Sequence, residues 1–557
     1  QIWVENKLFS KRNREKFLFK LLETDRLPDN WKIQTIIGIV KSNFCKEFFV
    51  EYDFSFSGEL LSEFVKLTNV FAFEASIWEL QYGNVYSSLK PIGMGRSCLI
   101  TLIQRNDLYK KVDKSKMYIF KLCSDYSMSS TYDEEAANSA CQILEYFVEQ
   151  RIQEASTEKW HHISEEINLC LLPIYRMAKY SMEWIKLFWS ERIGNYLKSD
   201  SNSHWLDEDI LKYVLKNAVP ALAQFLPREL CEIADTYWIK ASEREKVDFY
   251  YDRNSLHSGE KYGLSRKADS YIYEYRYLYD NAFLNIIIKY NWTIALEWII
   301  RLTNYAANNI KTMLPESVYD ISVWENSPQD KKVFSCNSDF WMAGIQGHRV
   351  HELISDSIFL FTKMAIQKIN SGNNKKEFVI KFAAYIKSEI LKKANNVMML
   401  SVIAEIGRNC ERVIPGYSLF LASSIDLVML DIQKMGLLMP NLDRQLYEKL
   451  VLMTVGISEL KDRYDIKMKG NDSLQDYVLK MQQYGEPYRK KAENILDYLY
   501  SIIPNEGEHA KLNLQIQKMD LRNVTLRLVD ERTYALVPEI RGEAKKIVEE
   551  YSRSKYS

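Results

Sequence analysis

No charge of one sign dominates this chain. Lys and Arg total 74, Asp and Glu total 74, and the formal net charge is zero. That balance removes the global basic field a general nucleic-acid or anionic-membrane binder uses to gather its ligand, so neither partner is expected. Glycine (19) and proline (12) are scarce for 557 residues, which argues against turn-rich β-architecture. The eight cysteines, at 45, 98, 123, 141, 170, 231, 336 and 410, form no CxxC pair. They make neither a disulfide framework nor a zinc ribbon and fit a reducing cytosol, so a cytoplasmic location is expected. Every long apolar stretch carries a charge, such as Lys289 and Glu297, Glu405, or Asp426. None supplies the about 18–20 clean residues a membrane span needs. The chain opens without Met on an amphipathic pattern, QIWVENKLFSKRNREKFLFKLLE, which reads as a piece of a longer polypeptide.

What is present is helical periodicity. A long helix is predicted from Asp133 to about Glu154, with a stripe of Ala137, Cys141, Leu144, Phe147 and Val148. Another carries Ile167, Leu171 and Leu172 past Pro173, and 180–197 adds Trp184, Leu187, Phe188 and Ile193. Residues 241–268 turn polar, as a loop or boundary does, and YIYEYRYLY follows with tyrosines at every second position from Tyr271 to Tyr279, a strand-like period. The most distinctive block is 281–369. Two apolar helices (Leu284, Ile287, Ile288; then Ala295, Trp298, Ile299, Leu302, Tyr305) break at Asn291–Thr293. A hairpin follows, with SVYDISVWE and KKVFSC flanking the turn NSPQD at 326–330. Two helices over 376–409 meet near Asn395–Asn396, and Val413–Leu430 and Arg444–Val455 continue the rhythm. A second hairpin is predicted from Val524–Val529 and Tyr534–Ile540 before a charged tail helix.

These patterns predict a mainly α fold: an irregular helical-repeat array, α-solenoid in the tetratricopeptide/HEAT manner, with small β-hairpin insertions. No repeat period is detectable. The organisation expected is N-terminal helical repeats over 1–240 and an exposed, Tyr-rich linker over 241–280. Central repeats over 281–440 carry the β insert at 317–336, and C-terminal helices with a hairpin span 441–557.

Catalytic signatures fail on inspection. The run Ile92-Gly-Met-Gly-Arg-Ser97 lacks the GK[ST] ending of a phosphate loop, and Leu99 stands where a hydrolase elbow wants its second glycine. His348 and His351 lie one turn apart beside Glu352, but only Cys336 is near and a structural zinc wants four ligands. They read instead as a polar helix start, with Arg349 and His351 facing solvent or a partner. Asp530 with Glu543-Ala-Lys545 has nuclease residue types, yet i and i+2 side chains diverge on a helix. No catalytic residue, cofactor or metal is therefore assigned to this chain. The aromatic load is the positive signal: Tyr271, Tyr273 and Tyr275, with Trp324, Phe334, Phe340 and Trp341 on the insert, sit among polar neighbours. Beside Arg349 and His351 they are the candidate partner-binding residues. The alternative is that the insert rings pack onto the helical body.

The run LNIIIKYNWTIALEWIIRLTNYAANNI, the insert, and SDFWMAGIQGHRVHELISDSIFLFTKMAIQKI resemble the helical C-terminal portion of bacterial antiviral STAND NTPases of the AVAST (Avs) type. The matching positions are Leu302-Thr303-Asn304 and Phe340-Trp341, Gly347 and Arg349; stretches 394–413 and 474–531 are also similar. The resemblance covers roughly the second half. It implies a sensor that grips a phage protein such as a terminase or portal subunit. In that family the sensor is attached to an ATP- and Mg2+-dependent module that oligomerises and fires an effector, often a nuclease. This sequence departs from the whole-protein pattern in having no Walker A motif and no effector motif. ATP, Mg2+, self-oligomerisation and nuclease chemistry would thus belong to a missing module. The competing expectations are a helical scaffold of a multi-protein complex with no foreign ligand, and a degenerate enzyme.

Overall fold

The computed structural model describes residues 26, 99, 103, 108–111, 116–128, 133–155, 161–198, 204–240, 259–271, 283–344, 350–372, 376–434, 473–530 and 533–556. As the periodicity predicts, these are mainly α-helical, and the only sheets among them are two antiparallel two-stranded hairpins. Their contacts divide them into two compact units. The first reaches Tyr237 and includes 283–286; the second takes the rest. None of the described helices is long and apolar enough to cross a membrane.

The first unit is built from helices α1 (Lys116–Ser127), α2 (Glu134–Ala155), α3 (His161–Arg176), α4 (Ala178–Leu197), α5 (His204–Lys216), α6 (Pro220–Phe225) and α7 (Pro227–Ala234). The predicted stripe of α2 is buried in full: Ala137, Cys141, Leu144, Phe147 and Val148 all lie in the core, where α1, α3 and α4 pack on it. Helix α3 continues past Pro173 as expected. Prolines start α6 and α7, where the missing N–H has no helical partner to lose. Two of the α4 core residues read from spacing are corrected: Leu187 is 72% exposed and Trp184 is half-buried. Trp184 stacks on Phe188 (4.7 Å) and donates its indole N–H to Glu149 Oε1 at 2.8 Å. Spacing puts both residues on a helical face; a half-covered face needs only one of its edges to meet a neighbour.

From Ile287, within α8 (Phe283–Tyr290), the chain belongs to the second unit, which continues with α9 (Trp292–Met313), and the break between these two helices is where it was predicted. Asn291 caps α9, its side chain accepting the Ile294 N–H. Strands β1 (Tyr319–Val323) and β2 (Lys332–Cys336) pair antiparallel with Ile321 opposite Phe334. Then come α10 (Ser338–Trp341), α11 (Glu352–Ser371), α12 (Lys376–Lys393), α13 (Val397–Asn409) and, over 425–434, α14. Helix α9 packs on α11, α12 and α13, and α10 packs on α13. Beyond 472, α15 (Leu474–Gln483), α16 (Tyr488–Ile502) and α17 (Ala510–Met519) pack on one another. Strands β3 (Val524–Asp530) and β4 (Thr533–Pro538) form the second predicted hairpin, before α18 (Glu543–Tyr556), the tail helix.

The stretch Val413–Ser424 is not α-helix. It runs as turns into a buried 3-10 turn, Leu419–Ser423, on which α13, α15, α16 and β1 all pack. Gly407 explains the close approach: a Cβ there would fall on Ser418 Oγ and 2.6 Å from Ser418 Cβ. The six described cysteines are all buried. The Gly-rich run 92–97, Tyr273, Tyr275, Tyr277, Tyr279, His348, Arg349 and Arg444–Val455 lie outside the described residues.

Candidate functional site

The aromatic insert residues turn inward. Phe334, Phe340 and Trp341 are essentially inaccessible, and Trp324 and Tyr271 are buried. The expectation that these rings are exposed anchors is corrected. Both hairpin strands show the same alternation, with Ile321, Val323, Phe334 and Cys336 buried and the intervening residues facing outward. Polar sequence neighbours are what a buried strand residue has, because successive side chains face opposite ways. Trp324 follows β1 and meets Tyr498 edge-on at 5.4 Å. Tyr271 is helical, with its ring edge-on to Trp238 at 5.6 Å.

His351 is likewise corrected from a solvent-facing residue to a buried cap. It starts α11 as predicted, but its Nδ1 accepts the Leu353 N–H at 3.2 Å and its Nε2 lies 3.1 Å from Asp269 Oδ1. The ring therefore satisfies an orphan donor of the helix N-terminus. Among the described residues no three His, Cys, Asp or Glu side chains gather as a metal site would require. Glu543 starts α18 and accepts the Gly507 N–H at 2.7 Å.

Two polar junctions do organise the second unit, and composition and motif searching missed both. At the first, Asn304 of α9 reaches the turn between α12 and α13. Its Oδ1 accepts the Asn395 backbone N–H (3.0 Å) and Asn396 Nδ2 (2.8 Å), while its Nδ2 donates to the Lys393 carbonyl (2.9 Å). The last carbonyls of a helix have no partner within it, and Asn304 supplies one for α12. On its other side the turn holds the hairpin: the Ser335 N–H donates to the Asn395 carbonyl at 2.8 Å. Lys393 adds ion pairs to Glu297 (3.0 Å) and Glu389 (2.7 Å).

At the second junction four charges are buried together. Arg408 of α13 bonds Asp431 at 2.7 Å and Glu405 at 2.8 Å, and Lys434 of α14 bonds Glu405 at 2.8 Å. Asp431 also accepts the Trp341 indole N–H (3.0 Å) and the Leu474 backbone N–H that opens α15 (2.7 Å). Two cations face two anions, so the group is neutral as a whole. Burial opposes ionisation of Glu405, but Arg408 and Lys434 outweigh it and hold the carboxyl down at about 2. The Arg408 guanidinium is raised by the two carboxylates despite its own burial. Ser473 completes the start of α15 with a capping box to Asp476.

The chain matches no protein-family model and no curated protein. Its own geometry therefore bears the functional reading.

On the outer side of the same unit three rings surround one ammonium. Lys368 Nζ of α11 lies 4.9 Å from the Trp292 ring, 4.9 Å from Phe382 and 5.9 Å from Phe378. Burial lowers the Lys368 amine from its ordinary value. Phe378 is 54% exposed and its neighbour Ile380 44%. In the first unit, Glu145 of α2 accepts a hydrogen bond from Ser181. Its carboxyl is pushed up to about 7, by burial first and then by Glu149, against the lowering effect of that bond. Arg192 is buried against Asp207 at 2.9 Å.

Proposed function

We propose that this chain is the ligand-sensing portion of an antiphage STAND NTPase, one that recognises a phage protein such as a terminase or portal subunit. Engagement would drive oligomerisation and effector activation through an ATP- and Mg2+-dependent module outside these residues. The observation that supports the reading is where the stretches carrying the family resemblance lie. Asn304 of the Leu302-Thr303-Asn304 stretch bonds Asn395 and Asn396 of 394–413. Trp341 and Leu474, from two further stretches, bond the same Asp431 carboxylate, which Arg408 of 394–413 also bonds. The similar stretches thus make up one supporting frame, and helical frames of this kind recognise folded partners by shape over an extended surface. No catalytic step is assigned to any residue here.

The test is reconstitution with defined ligands. The purified chain is mixed with purified large terminase subunits and portal proteins, with a phage tail protein as control, and each mixture is run by size-exclusion chromatography with light scattering. The reading expects a stoichiometric complex with a terminase or a portal and none with the control. Failure with every terminase and portal, together with a host complex equally recovered from uninfected cells, would replace it with the scaffold reading.

A further inference from the structure

Lysine ammonium groups that lose water normally gain a carboxylate or carbonyl in exchange. Lys368 gains neither among the described residues; its neighbours are aromatic faces. Trp292 and Phe382 stand at 89° with centroids 5.0 Å apart, forming a right-angled corner, and Phe378 lies parallel to Phe382 at 6.4 Å. Phe361 backs the Trp292 wall edge-on at 5.4 Å. The rings come from two helices that also pack on α11, the helix of Lys368: Trp292 opens α9, and Phe378 and Phe382 lie one turn apart on α12. The cage is thus built by the fold's own packing and not by a mobile segment.

We propose that the Trp292–Phe378–Phe382 cage is an arginine-recognition site, filled in this structure by Lys368 and opened to a protein partner when that lysine swings out. Three features carry this. The negative faces of the rings select a cation. The resident cation has no hydrogen-bonding lock among the described residues, so leaving breaks no ion pair and returns a partly desolvated ammonium to water. Phe378, more than half exposed, makes the cage reachable from outside. The chemistry favours arginine as the incoming group. A guanidinium is planar, stacks on an aromatic face and is more weakly hydrated than an ammonium, so it gives up less on entering the corner than Lys368 does. Lys368 then acts as an internal plug that sets a threshold: an isolated lysine of a passing protein gains nothing over it, whereas an arginine does. This inference stands apart from the sensor reading, since the cage could serve a partner of any origin, and its test uses no phage protein.

The full chain is labelled with 5-fluorotryptophan, and the Trp292 resonance is assigned as the one missing from Trp292→Phe. N-acetyl-arginine methylamide is titrated into the parent and into Lys368→Ala, with N-acetyl-lysine methylamide and sodium chloride at matched ionic strength as controls. The proposal expects a saturable shift of the Trp292 signal with the arginine compound. In Lys368→Ala, half-saturation should fall to about one-tenth of the parent concentration, the loss of roughly one cation–π contact. The signals of the other eleven tryptophans should stay in place, reporting an intact fold. A second opened variant, Lys368→Ser, should behave as Lys368→Ala does. Absence of a saturable shift in both variants would overturn the proposal. So would an equal response to the lysine compound, or one reproduced by salt.

Discussion

Trp341 and Asp431, ninety positions apart, share a buried hydrogen bond of 3.0 Å from the indole N–H to Oδ1. The other carboxylate oxygen of Asp431 takes Arg408 and the first amide of α15, so a single side chain joins four segments of the second unit. Each of its neighbours is buried, and an unbalanced charge there could not be relieved by water.

Arg408→Met is therefore expected to destabilise the second unit by about 3–5 kcal/mol, the usual result of removing one partner from a buried ion pair. Urea denaturation followed by tryptophan fluorescence measures this. Glu405→Gln in the same chain restores neutrality, so the double variant should lose clearly less than the two single losses added together.

Asn304→Ala removes the acceptor of the Asn395 and Asn396 bonds and the donor to Lys393. The side chain is half-buried, which sets the loss at about 1–3 kcal/mol. Hydrogen exchange locates it: the Asn395 amide should lose protection, while amides of α16 keep theirs.

The Glu145 carboxyl gives the first unit a pH dependence whose sign follows from its shift to about 7 against an ordinary value of 4.5. Below 4.5 the carboxyl is protonated in both folded and unfolded chains. As pH rises towards 7 the unfolded chain releases the proton while the folded chain keeps it, so stability falls and the loss is complete above 7. Glu145→Gln retains an acceptor for Ser181 and abolishes this slope. It should gain about 1–3 kcal/mol at pH 8 and almost nothing at pH 4, read as thermal midpoints across the range.

Gly407→Ala forces a methyl onto Ser418 and should cost about 1–3 kcal/mol. Ser418→Gly in the same chain clears the side chain and should recover part of that loss. If the double variant is no better than Gly407→Ala alone, the obstacle is the Ser418 backbone N, 3.2 Å from the added carbon.

Helices α2, α3 and α9 and both hairpins were legible in the sequence because each follows from a local period, whereas the apolar rhythm of Val413–Ser424 was read as helix and folds as turns. The turn NSPQD joins two stretches of period two, and the pairing of Ile321 with Phe334 follows. Burial of the insert rings was not legible, since polar neighbours were read as exposure: strand alternation puts those of Phe334 on the opposite face, and Phe340 and Trp341 are buried by the packing of α10 on α13. The charged junction was equally hidden, because Glu405 and Arg408 at i and i+3 have the spacing of a solvated helix face. A signal was present all the same: α13 reads VMMLSVIAEIGRN, and two charges in so apolar a helix need partners from elsewhere. Those partners, Asp431 and Lys434, are set by tertiary packing alone. Asn304 could be singled out by resemblance, but its role as a cap for another helix could not.

The Asp431 carboxylate has one further consequence. It grips the Leu474 amide across forty-three positions of sequence, so the two ends of that span are held by a bond in space as well as by the backbone between them. Losing that carboxylate would unfasten the start of α15 in the same event that strands Arg408.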